Sequence, residues 1–128
     1  MIRTFIALLL MAIGGTSVQA QDAAAGATVF KKCMSCHAVG ENARAKVGPP
    51  LNGIVGHPAG TVAGFKYSNA LLEAGLTWDE ATLSAFLADP RGFLPGTKMS
   101  FGGLTKEEDI ANVIAYLATF GPDGKPVE

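Results

Sequence analysis

The run Cys33-Met34-Ser35-Cys36-His37 constrains this chain more than any other feature. Placed at i and i+3 on a helix, the two thiols share a face, and His37, at i+4 from Cys33, joins them there. These are the only two cysteines of the chain. In an exported protein an isolated pair normally forms a disulfide. Here the immediate histidine changes the reading, because C-x-x-C-H is the attachment signal for a c-type haem. Two sulfurs reach two vinyl groups on one edge of a rigid ring, and the imidazole binds the iron from the same side.

Two rival chemistries fit the same residues less well. A C-x-x-C thiol oxidoreductase requires a βαβ context, and no strand pattern is visible. A zinc site requires four ligands, usually from a second pair. Only Cys33, Cys36, His37 and His57 are available, at poor spacing.

The first twenty residues read as an export signal. Arg3 supplies the positive start, Phe5 to Ile13 is unbroken apolar sequence, and Val18-Gln19-Ala20 ends in small-residue cleavage style. Cleavage is expected after Ala20, leaving residues 21–128 as one domain. The apolar run is too short to span a bilayer. No second segment is long enough, so no stable membrane insertion is expected. The formal charge of −1 becomes about −2 once Arg3 leaves, which gives no case for nucleic-acid binding. A domain of this size buries a modest core, to which a large apolar cofactor adds substantially.

The rest of the chain reads as an all-α domain. Asp22 to about Ala38 is predicted helical, opened by an Asp cap, with Phe30, Cys33 and His37 along one side. Gly26, four residues before Phe30, lets another helix approach closely. Residues from Val39 to about Lys66 are rich in Gly and Pro and lack a period, which suits a long loop wrapped around a cofactor. Ser68 to Ala74 reads as a short helix stopped by Gly75. Thr77-Trp78-Asp79-Glu80 and Thr105-Lys106-Glu107-Glu108 both match the capping-box spacing. The first opens a helix with Leu83, Phe86 and Leu87 on one face, ending before Pro90. An irregular stretch from Arg91 to Leu104 follows. The second opens a helix with Ile110, Val113, Ile114 and Leu117 at i, i+3, i+4 and i+7, stopped by Gly121.

The sixth iron ligand decides function: a filled position favours electron transfer, an open one ligand binding or catalysis. Of the four methionines, Met34 and Met99 survive signal removal. Met34 lies between the cysteines, on the wrong part of the attachment turn. Met99, in Pro95-Gly96-Thr97-Lys98-Met99-Ser100-Phe101, lies in a loop able to fold over a flat ring. Its rival role is core filler. His57, in the turn Gly56-His57-Pro58, is the other candidate, and turn residues of this kind usually stay at the surface.

Several further runs stand in a distinctive order. They are Gly26 and Phe30, Gly48-Pro49-Pro50-Leu51, Gly64-Phe65-Lys66-Tyr67-Ser68, Leu76-Thr77-Trp78, Asp89-Pro90, Pro95 to Met99, and Ile114-Ala115-Tyr116-Leu117. With the attachment motif, they make the chain resemble the class I cytochrome c family, specifically its cytochrome c2-like bacterial members. The resemblance covers essentially the whole expected mature chain. It implies a fold in which N- and C-terminal helices cross and long loops wrap one covalent haem. It implies His37 and Met99 as axial ligands, with the Pro49 carbonyl accepting from Nδ1 of His37. It also implies Tyr67, Trp78 and Thr97 as hydrogen-bond donors to the haem propionates. Gly26 and Phe30 would meet Tyr116 and Leu117 where the helices cross, and Phe101 would shield the haem edge. Three positions depart from the family pattern: Phe86 where a tyrosine often stands near the methionine sulfur, His57 for an arginine near a propionate, and Leu71 for an asparagine of the polar network.

The function so implied is that of a periplasmic one-electron carrier, not an enzyme, with a monomer as the default for a small shuttle. Its partners would be a bc1-type donor and an oxidase, reductase or photosynthetic reaction-centre acceptor. Lys31, Lys32, Lys46, Arg91, Lys98 and Lys106 would form a basic docking face, against the simpler reading of a solvated scatter of charge. The remaining alternative is a haem protein with an open or labile sixth site, acting in ligand binding or peroxidase-type chemistry.

Overall fold

The computed structural model describes residues 21–127; the expected export signal lies outside the described residues. Helix α1 (Ala23–Phe30) is capped by the Asp22 side chain, which accepts from Ala25 N–H, and it buries Gly26, Val29 and Phe30. These residues pack on α5 (Glu107–Leu117), whose Ile110, Val113, Ile114 and Leu117 are buried, as their spacing predicts. The crossing depends on Gly26, where a Cβ would overlap the backbone carbonyl of Asn112. Phe30 meets Tyr116 with ring centroids 5.4 Å apart. The buried amide of Asn112 accepts from Asp22 N–H at 2.9 Å, which ties the start of α1 to the middle of α5.

Between these helices lie α2 (Asn69–Glu73), α3 (Glu80–Ala88) and α4 (Pro90–Phe93). Ser68 caps α2 by accepting from Leu71 N–H. Leu83, Phe86 and Leu87 of α3 join Trp78, Leu94, Leu104 and the α1–α5 residues in one core cluster.

The structure differs from the sequence expectations at five points. Regular α-helix ends at Phe30 instead of near Ala38. Beyond it, Lys31, Lys32 and Cys33 donate to carbonyls three residues back, so the chain winds more tightly through the attachment motif. A strand pair absent from the all-α reading, β1 (His57–Pro58) and β2 (Thr77–Trp78), joins antiparallel with His57 opposite Trp78. Thr77 therefore lies in β2, and the capping box of α3 is formed by Asp79 and Thr82. Helix α5 has Lys106 at its cap and no side-chain cap bond; three acids in its first turn suit the positive end of the helix dipole instead. Its last helical residue is Leu117, ahead of Gly121. Finally, the stretch Arg91 to Leu104 begins with α4, with buried Pro90 as its first residue and Asp89 as its cap.

Among the described residues no helix is long and apolar enough to cross a membrane.

Candidate haem site

The attachment motif forms a single turn. Both Cys36 N–H and His37 N–H donate to the carbonyl of Cys33, at 3.1 and 2.9 Å. The spacing expected of a helix is thus kept by one closed turn after α1 ends. Cys33 and Cys36 are unpaired and half-buried. Burial, and secondarily the neighbouring Cys36, pushes the Cys33 thiol up from its ordinary value. That is opposite to the lowered value of a reactive redox thiolate. Among the described residues no three His, Cys, Asp or Glu side chains cluster as a metal site, so the zinc reading has no ligand set.

His37 is oriented from behind. Its Nδ1 lies 2.7 Å from the carbonyl oxygen of Pro49. A carbonyl only accepts, so the proton sits on Nδ1 and Nε2 keeps its lone pair. Burial holds His37 below the ordinary histidine value, with the Pro49 contact opposing, which favours the neutral ring a metal requires. Gly48 lies on the ring, and a Cβ there would overlap its atoms. Gly48 is held in turn by its N–H to Cys36 O at 2.8 Å.

Met99 lies in a segment without regular structure, half-buried against the core cluster. Its N–H donates to Thr97 Oγ1 at 3.2 Å. Cys33, Leu51, Ile54, Leu71, Phe93 and Phe101 also pack on that cluster while staying part-exposed. Two thiols, an imidazole with a free Nε2 and apolar side chains left part-exposed on the core are the residue types that suit a flat apolar ring bearing a central metal.

Each residue that the resemblance implies for the propionates has definite surroundings. Tyr67 Oη accepts Val62 N–H at 3.0 Å, keeping its own proton to donate, and burial pushes its phenol up. Thr97 Oγ1 accepts from Met99 and likewise retains a proton. Trp78 is buried, its ring 5.1 Å from that of Phe86.

The three departures also have definite surroundings. Phe86 is wedged between Trp78 and Phe93, at centroid distances of 5.1 and 6.3 Å. Leu71 packs on the core. His57 Nε2 contacts Thr61 Oγ1 at 2.7 Å, and Thr61 donates to Pro58 O, so His57 is the donor to Thr61.

Sequence reasoning missed two contacts, the Gly48 face on His37 and the Asn52 side chain, which accepts from Gly40 N–H at 2.9 Å and donates to Gly40 O at 2.8 Å. Gly48 was visible only as part of a run. Asn52 carried no local signal.

A turn carrying two thiols and a preoriented imidazole in C-x-x-C-H spacing defines a c-type haem polypeptide. The family model for cytochrome c matches residues 23–121. A cytochrome c2 of Rhodoplanes tepidamans is 53% identical over 105 residues, covering 82% of this chain and 98% of that protein. A cytochrome c2 of Blastochloris viridis is 44% identical over 117 residues, covering 91% and 92%. The solved structure of cytochrome cH from Methylobacterium extorquens superposes with a TM-score of 0.72 at 45% identity, covering 77% of this chain and 98% of that one. The chain belongs to the cytochrome c family, as a class I, cytochrome c2-like member. It is an electron-transfer protein carrying one covalent haem c, not an enzyme.

Proposed function

We propose that the protein is a periplasmic one-electron shuttle whose haem is joined through thioethers to Cys33 and Cys36 and ligated by His37 Nε2 and Met99 Sδ. The observation that carries this reading is the His37 Nδ1–Pro49 O contact of 2.7 Å, which fixes the tautomer and leaves the Nε2 lone pair free to bind a metal. Met99 is the one methionine outside the attachment turn among the described residues, and it lies half-buried against the core cluster. The haem supplies the ferric–ferrous couple, and methionine ligation favours the ferrous state. The chain's own contribution is to hold both ligands through the cycle and to exclude water. Tyr67, Trp78 and Thr97 are proposed to hydrogen-bond the propionates; the spare hydroxyl protons of Tyr67 and Thr97 support this.

Export rests on the sequence of residues 1–20, with cleavage proposed after Ala20 and residues 21–128 forming the mature domain. Lys31, Lys32, Lys46, Arg91, Lys98 and Lys106 are all exposed. Among the described residues the one ion pair is Lys125–Glu41 at 3.9 Å, so these six charges are not cancelled by direct partners. They support a basic face for docking on a bc1-type donor and on an oxidase, reductase or reaction-centre acceptor, with the shuttle a monomer.

The test is the optical spectrum of the purified holoprotein. A near-infrared methionine–iron charge-transfer band in the ferric state, with no CO binding in the ferrous state, is expected. Met99→Ala should abolish the band and admit CO. Survival of the band in that variant would remove Met99 as ligand, and CO binding by the unaltered protein would establish an open site.

A further inference from the structure

Segment 48–52 runs beside segment 36–40 as an irregular ladder. Gly48 N–H donates to Cys36 O at 2.8 Å and Leu51 N–H to Ala38 O at 3.0 Å. Pro49 and Pro50 have no N–H, so they add no rung of their own. The next backbone rung would pair Gly40 with Gly53, but Gly53 N–H donates to Phe120 O at 3.1 Å. Asn52 fills the gap with its side chain. Its Oδ1 accepts Gly40 N–H at 2.9 Å and its Nδ2 donates to Gly40 O at 2.8 Å. Both bonds fix the amide orientation, since a flipped amide would set like against like. The side chain thus takes the place of a peptide unit, closing the ladder immediately past the His37–Pro49 contact.

We propose that Asn52 is a positioning residue for the proximal histidine, holding the Pro49 carbonyl on Nδ1 of His37 by clamping segment 48–52 to Gly40. This rests on the reading of His37 as the iron ligand. A carbonyl accepting from Nδ1–H raises the basicity of the ligating nitrogen. A more basic ligand favours ferric iron. Loosening the clamp therefore weakens that hydrogen bond and moves the reduction potential upward.

The experiment uses holoprotein. In Asn52→Ala, solvent exchange of the His37 Nδ1 proton is followed by NMR in the diamagnetic ferrous state. The amides of Val113 and Ile114 in α5 serve as internal references for global opening. Exchange of the His37 proton is expected to speed up roughly tenfold or more relative to those amides, as local opening of that segment becomes cheaper, and the midpoint potential is expected to become more positive. Should Asn52→Ala fail to retain haem, Asn52→Gln is measured in the same way. It keeps the amide but displaces it by one methylene, and it too should accelerate His37 exchange selectively. An unchanged ratio with an unchanged potential overturns the proposal. So does equal acceleration of the His37 and α5 probes, which would mark Asn52 as a general staple of the fold. A His37 ring without the ring-current shift of an iron-bound imidazole in the unaltered protein would overturn the ligation itself, and this inference with it.

Discussion

Replacing Gly26 by alanine separates packing from propensity, because the two predict opposite signs. On helix propensity alone, Gly→Ala inside α1 stabilises the chain by up to about 1 kcal/mol. The structure says otherwise. The added Cβ would overlap the Asn112 carbonyl and fall 2.8 Å from Tyr116 Cβ. The first obstacle is backbone in the middle of α5, which cannot rotate away as a side-chain end can. Helix α1 must lift instead. Overpacking of this kind costs about 1–3 kcal/mol, and a rigid backbone neighbour places it toward the upper end. Lifting also stretches the Asp22 N–H bond to Asn112 Oδ1, now 2.9 Å, worth about 1 kcal/mol. It parts the Phe30 and Tyr116 rings, now 5.4 Å apart, a contact worth roughly 0.5–1.5 kcal/mol. After the propensity gain, the net loss is about 3–4 kcal/mol. For a domain near 100 residues that lowers Tm by roughly 12 °C or more. Denaturant and thermal unfolding of the holoprotein, followed by far-ultraviolet circular dichroism, measure it directly. A Gly26→Ala protein as stable as the unaltered one, or more so, would refute the close-approach argument.

Two further outcomes follow from charge. The Asp79 carboxyl is held below 3.8 chiefly by the Thr82 backbone N–H, then by the Thr82 hydroxyl. Its folded value being depressed, the stability it confers is present above 3.8 and is lost as pH falls through the lowered folded value. Asp79→Asn keeps a capping side chain without a titrating one. Its stability should fall less steeply in acid, as read by denaturant unfolding over a pH series; parallel curves would contradict the cap as the cause. Reversing Lys32 and Lys98 to Glu should slow electron transfer to an acidic redox partner roughly tenfold or more at low ionic strength, the difference shrinking with added salt. A rate that ignores both the substitutions and the salt would reduce the basic face to scattered surface charge.

Features set by neighbours in sequence were the legible ones. The spacing of Cys33, Cys36 and His37 reports its chemistry whether the chain there is helix or tight turn, so the motif stayed readable where the helix boundary did not. The α5 stripe was legible because period and burial coincide. Thr77 shows the opposite case. Thr77-x-x-Glu80 is the box the local pattern suggests, whereas Asp79 and Thr82 form the one observed. The choice falls to the second because Thr77 pairs with Pro58 across β1 and β2, a contact nineteen positions away in sequence. Asn52 is harder still. Nothing near it marks its partner, since its double bond to Gly40 exists only once the loop closes.

The two sides of the site, as proposed, are secured very differently. On the His37 side, backbone rungs from Gly48 and Leu51, the Asn52 amide and the Pro49 carbonyl bind one segment to another. On the Met99 side, the Met99 N–H to Thr97 Oγ1 bond at 3.2 Å is the one protein hydrogen bond made by residues 98–103 among the described residues. Opening a segment costs least where few bonds and buried contacts are broken. The Met99 segment should therefore open before the His37 segment does. Under the proposed ligation, the methionine–iron bond is then part of what holds that loop closed. Loss of the Met99 sulfur would then loosen the loop while the histidine side stayed fixed. An electron carrier needs both ligands to remain in place through each cycle. Under that ligation the polypeptide would supply this constancy for His37 and share it with the metal for Met99.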